Sequence, residues 1–192
     1  MLLSRDKSQL LIIDVQEKLL PAMSDPERVV ERCIRLVRAA RALDIPVTVS
    51  EQYPRGIGPT VSPLREALGN SGSVMDKVEF SCAKNDLLRE RLHELRRRGR
   101  GQVVMGGIEA HVCVTQTAID LEDQGFEAFV VADAVDSRAK SSRRLALARL
   151  LKTGVDVVNS EMVVFEWLGK AGTPEFKELL GLVKQISAGR LT

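Results

Sequence analysis

The chain has 192 residues, 44% of them hydrophobic, and a formal net charge of +2. This supports one compact domain, residues 1–192, with a sizeable core. The near-neutral balance gives no bulk drive toward nucleic acid or an anionic membrane. Cys33, Cys82 and Cys113 are odd in number and widely spaced, and with His93 and His111 they make neither a disulfide framework nor a zinc pattern. A reduced, cytoplasmic setting and no cofactor are therefore expected. The first apolar run is broken at Asp14, too soon for a secretory signal or a membrane span.

In chain order, Leu10-Leu11-Ile12-Ile13 is apolar on both faces, as a central parallel strand requires, and Asp14 falls at its carboxyl end. From Glu27 to Leu43, Val30, Ile34, Val37 and Leu43 recur at helical spacing. Val47 to Ser50 is a second strand, followed by Glu51, Gln52 and Tyr53. Pro54 to Gly72 is rich in proline and glycine and reads as a long irregular segment, with a short helix near Ser62 to Leu68 and a pocket-wall role. Ser73 to Lys77 is a short third strand. Asn85 caps a helix reaching about Arg98, with Leu87, Leu88, Leu92 and Leu95 as its inner face. The run Arg96-Arg97-Arg98-Gly99-Arg100 fits cations at a helix C-terminus followed by glycine better than a nucleic-acid patch, since no aromatic platform accompanies it. Val103 to Gly107 and Phe126 to Ala132 are the fourth and fifth strands. Ser141 to Leu151 is a helix, Val155 to Val158 the sixth strand, and Pro174 to Ile186 a closing helix. The alternation implies an α/β fold, an open parallel sheet with helices on both faces.

In such sheets ligands bind beyond the carboxyl ends of the strands. Asp14, Gln52, Tyr53, Lys77 and Cys113 all fall there. Cys113 is placed in the first turn of a helix from Val114 to Gln124, just past Gly106-Gly107. There the helix dipole and a nearby cation favour a thiolate, the nucleophilic form. The arrangement suits acyl transfer, with Asp14 as proton acceptor and Lys77 as the cation. A buried, inert cysteine beside a structural Asp–Lys pair is the competing reading.

Five segments resemble the isochorismatase-like cysteine hydrolases in that family's order. They are Leu11-Ile12-Ile13-Asp14-Val15-Gln16, Ser50-Glu51-Gln52-Tyr53-Pro54, Lys77-Val78-Glu79-Phe80-Ser81, Gly107-Ile108-Glu109-Ala110-His111-Val112-Cys113-Val114 and Val131-Ala132-Asp133-Ala134-Val135-Asp136-Ser137-Arg138. Within that family the chain looks closest to the isochorismatase domain-containing proteins. The resemblance covers nearly the whole chain and implies a three-layer, Rossmann-like α/β/α fold on a six-stranded parallel sheet. It implies a catalytic set of Asp14 as base, Lys77 as cation and Cys113 as nucleophile. It further implies a cis peptide between Ile108 and Glu109, and an oxyanion hole from the backbone N–H groups of Glu109 and Cys113.

The nicotinamidase branch holds a metal with an Asp and two His after the second strand. Residues 51–58 contain no histidine, so no catalytic metal is expected. Gln52, Tyr53 and Phe80 are candidates for the substrate pocket. Core packing is the alternative for the two aromatics, and holding the loop is the alternative for Glu51 and Gln52. The side chain of Glu109 is left open. His111 is given a packing or interface role, and Trp167 a core or intersubunit one. The leading expectation is a hydrolase of a small amide-type substrate acting through a thioester, with no nucleic-acid or membrane partner and a homo-oligomeric state. The alternatives are an isochorismatase-type vinyl-ether hydrolase, or an oligomeric binding protein that retains the site.

Overall fold

A computed structural model describes residues 1–70 and 72–187, with 182–187 as backbone alone. Six strands form one sheet: β1 (Ser8–Ile13), β2 (Val47–Gln52), β3 (Ser73–Lys77), β4 (Gln102–Ile108), β5 (Glu127–Asp136) and β6 (Asp156–Val158). Their order is β3-β2-β1-β4-β5-β6 and every neighbouring pair is parallel. The helices are α1 (Pro26–Ala42), α2 (Pro54–Ile57), α3 (Ser62–Leu68), α4 (Asp86–Arg97), α5 (Thr115–Asp123), α6 (Lys140–Leu150), α7 (Ser160–Leu168) and α8 (Pro174–Ser187).

Strand alternation distributes the core. Leu10 and Ile12 of β1 pack with α1, α3, α7 and α8 on one face, while Leu11 and Ile13 pack with α4, α5 and α6 on the other. All four are fully buried, which is why this strand reads as an unbroken apolar run rather than an alternating one. The result is the three-layer α/β/α architecture.

The differences from the sequence reading have local causes. Residues 54–70 carry the expected short helix, α3 at Ser62–Leu68, and also a helical turn, α2, where the sequence reading expects irregular chain; Ser71 lies outside the described residues. Leu87 is exposed, and the inner stripe of α4 is Leu88, Leu92 and Leu95, three consecutive contacts at helical spacing. β5 runs on through Asp133 to Asp136, with a register shift against β4 between Met105 and Gly107. Asp133 is tolerated inside the strand because its carboxylate accepts from the Ser160 N–H at 2.8 Å and faces Arg32. Helix α7 escapes the periodicity test because it is apolar on both sides: Val163, Val164 and Trp167 are buried, yet Met162 and Phe165 are exposed. Its readable signal is Asn159, whose side chain caps the Met162 N–H at 2.8 Å.

Two open readings resolve. Trp167 is a core residue, 3% exposed, whose indole N–H donates to Ser8 Oγ at 2.9 Å. The arginine run closes α4: Arg96 donates to the Gln124 carbonyl and lies over Phe126, Arg97 pairs with Glu90, Arg98 with Glu94, and Arg100 donates to the Ser8 carbonyl. Gly99, at φ +89°, ends the helix. Among the described residues, no helix is long and apolar enough to cross a membrane.

Candidate active site

With this strand order, the chain leaves β1 toward β2 on one side and reaches β4 on the other. The carboxyl ends of β1 and β4 therefore border the crevice where open α/β sheets place ligands. Asp14 follows β1 directly, with φ +54°, a conformation that aspartate tolerates better than most residues. Its N–H is held by the Ser50 carbonyl of β2 at 3.1 Å. Lys77 ends β3 and pairs in register with Gln52 at the end of β2. Cys113 does not sit in the first turn of α5. It occupies a π-helical turn, Ala110–Val114, between β4 and α5. The Glu109 carbonyl closes that turn, accepting from Val112 and Val114 at 3.0 and 3.2 Å. Such wide turns arise where an inserted residue redirects a side chain. The Ile108–Glu109 peptide preceding it is cis.

These elements bring Asp14, Lys77 and Cys113 together. Lys77 Nζ lies 2.7 Å from Asp14 Oδ2 and 3.7 Å from Cys113 Sγ. Both charged side chains are wholly buried. Ser50 Oγ donates to the other Asp14 oxygen at 2.7 Å. Of the three cysteines, Cys33 and Cys82 have no exposed surface, whereas Cys113 is 5% exposed. Cys113 is thus the one of the three with any exposed surface, and its sulfur lies beside the Lys77 ammonium.

The electrostatics correct one expectation. Burial, followed by the Asp14 charge, pushes the Cys113 thiol well above the usual cysteine range, and the Lys77 cation offsets only part of this. These influences favour a protonated thiol over a standing thiolate at rest. Burial likewise raises the Asp14 carboxyl above its ordinary 3.8, against the pull of Lys77, Ser50 and Cys113. For Lys77, burial is the largest single influence and disfavours the ammonium, but the charge and hydrogen bond of Asp14, together with the neighbouring Cys82 and Cys113, outweigh it and the net direction is up. The cluster thus holds an ammonium, a carboxylate of raised basicity and a thiol hydrogen-bonded to that carboxylate. Burial pushes Cys33 up to about 12 and Cys82 up to about 11; Cys82 also feels Asp14 and Lys77, but neither cysteine has exposed surface, consistent with inert core thiols.

The flanking residues divide. Glu51 Oε1 accepts from the Thr60 N–H at 2.6 Å and so fastens the α2–α3 segment. Both ends of the Gln52 amide are engaged within the protein, with Lys77 and the Val78 carbonyl. Tyr53 and Phe80 are 54% and 55% exposed at the strand ends, which removes the core-packing alternative for both. Glu109 carries a buried side chain in a bidentate pair with Arg138, whose own backbone N–H also donates to it at 2.9 Å. His111 Nδ1 lies 2.9 Å from Ser137 Oγ. Sequence reasoning missed Ser50, Gln16 and Arg138 as supports. A serine near the carboxyl end of the second strand was the available signal for the first. A cavity of about 860 Å³ lined by Arg38, Arg41, Pro46, Arg91 and Glu178 lies at the amino end of β2, the opposite end of the sheet from this cluster. Among the described residues, no three His, Cys, Asp or Glu side chains are grouped to hold a metal.

The isochorismatase domain profile matches residues 8–162. The chain belongs to the isochorismatase family. Isochorismatase domain-containing protein 2 of Danio rerio is 39% identical over 183 residues, covering 94% of this chain and 89% of that protein. Isochorismatase domain-containing protein 1 of the same fish is 39% identical over 182 residues; the match takes in 95% of this chain but only 62% of that protein's length. Among solved structures, the MAR1 ribonuclease of Caenorhabditis elegans superposes with a TM-score of 0.89 at 34% identity, covering 96% of this chain and 93% of that one. The protein is therefore a member of the isochorismatase family on the six-stranded parallel-sheet fold that its solved relatives share.

Proposed function

We propose that this isochorismatase-family domain is a metal-independent cysteine hydrolase of a small amide-type substrate, acting as a homo-oligomer through a thioester on Cys113. The observation that carries this reading is the buried convergence of Asp14, Lys77 and Cys113, at 2.7 and 3.7 Å from the one ammonium. Because the thiol rests protonated, attack and deprotonation belong to one step. As Sγ bonds the substrate carbonyl carbon, its proton passes to Asp14, and the carbonyl electron pair moves onto oxygen. The backbone N–H groups of Glu109 and Cys113 serve as the oxyanion hole; one such donor typically contributes about 2.7–4 kcal/mol in the transition state. Collapse breaks the C–N bond, and the leaving amine takes the proton from Asp14. Asp14 then deprotonates water, which attacks the thioester carbonyl, and the released sulfur recovers its proton. Lys77 keeps Asp14 ionised and offsets negative charge on sulfur throughout.

The test is a panel of amides, imides and ureido acids, with a vinyl ether and a single-stranded RNA added, given to the parent protein and to Cys113→Ala. The RNA is included because the similar C. elegans protein is named a ribonuclease. Hydrolysis of at least one amide-type compound by the parent, lowered about 10⁴-fold or more in the variant, is expected. Equal turnover by both sinks the nucleophile assignment. Cleavage confined to the vinyl ether or the RNA replaces the substrate class.

The pH profile follows from the same geometry. Asp14 must be ionised to accept the proton, so activity is present above its pKa and lost as pH falls through it. Since burial raises that pKa above 3.8, the acid limb falls at higher pH than an exposed aspartate gives. Lys77 titrates above 10.5, so its ammonium persists across the neutral range and is lost only beyond it. A hydrolysis rate that stays flat down to pH 3.8 contradicts the assignment of Asp14 as base.

A further inference from the structure

We propose that Gln52 is a positioning residue: its neutral amide fixes the Lys77 ammonium so that one N–H is directed at the Cys113 sulfur. The amide orientation is set by its two partners. Gln52 Nε2 donates to the Val78 carbonyl at 2.8 Å, so Oε1 is the atom that faces Lys77 Nζ at 2.6 Å. The flipped amide would set an NH₂ against the ammonium and a carbonyl oxygen against a carbonyl oxygen, two repulsive contacts. An ammonium has three N–H donors. Here Asp14 Oδ2 takes one, Gln52 Oε1 the second, and Cys113 Sγ lies in reach of the third.

Gln52 is itself clamped. The buried side chain of Gln16 accepts from the Gln52 N–H at 2.7 Å through Oε1. Its Nε2 donates to the Gln52 carbonyl at 3.0 Å and to the Gly58 carbonyl at 2.6 Å. The side-chain amide of Gln16 thus pairs with the end of β2 as a neighbouring strand would, and it sets the height at which Gln52 meets Lys77. The charge state of Gln52 matters as much as its reach. A carboxylate in its place would give the ammonium two anionic partners and leave the cluster net negative beside the sulfur, opposing negative charge there. The consequence for chemistry rests on the Cys113 reading above, while the hold on Lys77 is read at Lys77 itself.

The experiment uses two readouts on the parent, Gln52→Glu and Gln52→Leu. The first is the NMR titration of the Lys77 side chain. The second is the pH dependence of iodoacetamide alkylation at Cys113, followed by peptide mass. The Lys77 midpoint is expected to rise in Gln52→Glu and fall in Gln52→Leu. Cys113 alkylation at pH 8 is expected to slow about tenfold in both, with the profile displaced to higher pH, because a tenfold change corresponds to one unit of thiol pKa. Gln52→Glu is isosteric, so it keeps the test decisive if Gln52→Leu does not fold. A Lys77 midpoint unmoved in Gln52→Glu shows that Gln52 does not hold the ammonium and overturns the proposal. A moved Lys77 with an unmoved Cys113 profile overturns it too, since the hold then has no effect on sulfur. Failure of the nucleophile reading shows elsewhere, as hydrolysis that survives Cys113→Ala.

Discussion

Lys77→Met is expected to cost about 3–5 kcal/mol of stability as well as activity, because it leaves Asp14 as an uncompensated buried charge. Neither side chain of the pair has exposed surface, so water cannot take over the lost interaction. Ser50 supplies Asp14 with one hydrogen bond, which offsets only part of the desolvation of a carboxylate. Asp14→Asn is expected to destabilise by a similar amount, leaving the ammonium without an anionic partner, beside the neutral Gln52 amide and the Cys113 sulfur. Asparagine tolerates the left-handed backbone at this position, so the loss reports the charge rather than the turn. The double variant is expected to cost clearly less than the sum, since it removes both charges together. Urea denaturation of the four proteins measures the cycle. Additive costs would show that the two charges are not coupled in the folded state.

Gly107→Ala is expected to prevent accumulation of folded protein. A Cβ built at Gly107 falls 2.0 Å from the Ile13 carbonyl oxygen and 2.6 Å from the Ile13 nitrogen. Both are backbone atoms of the central strand β1, which cannot retreat without breaking the ladder between β1 and β4. The residue also has φ +115°, a region that side chains rarely adopt. A backbone clash and a forbidden dihedral together place the cost above about 4 kcal/mol, comparable with the whole stability of many domains. Gly106→Ala is the comparison. Its nearest neighbours are the Ala134 Cβ and Cys33 Sγ, each at 3.3 Å, and side chains can give by tenths of an ångström. The expected order is a measurable loss at Gly106 and no folded yield at Gly107. A Gly107→Ala protein with the parent's urea midpoint would refute the close approach of β4 to β1.

The strands were legible because parallel strands buried on both faces leave continuous apolar runs, of which Leu10 to Ile13 is the plainest. That reading alone places Asp14, Lys77 and Cys113 at strand ends on one side of the sheet. The charge state of Cys113 was not legible. Its position after two glycines suggested helix-dipole stabilisation of a thiolate. The opposing influences, burial and the Asp14 charge, arise from residues distant in sequence. Gln52 shows the same limit. Its place at the end of β2 was readable, but its partner depends on the register that sets Gln52 opposite Lys77. The side chain of Glu109 could not be assigned from its own neighbours because Arg138, which holds it, arrives from the end of β5. Helix α7 was obscured by apolar residues on both its faces, the pattern that makes helical spacing uninformative.

The central claim is that Cys113 sulfur becomes covalently bonded to the substrate's acyl group. The direct measurement is rapid acid quenching of the parent during turnover of whichever panel amide it hydrolyses, followed by peptide mass analysis. The peptide carrying Cys113 is expected to gain the acyl mass, to lose it on treatment with hydroxylamine, and to show no gain in Cys113→Ala, with the Cys33 and Cys82 peptides unchanged. Sustained hydrolysis with Cys113 unmodified at every quench time, under conditions where the variant is also active, would contradict it.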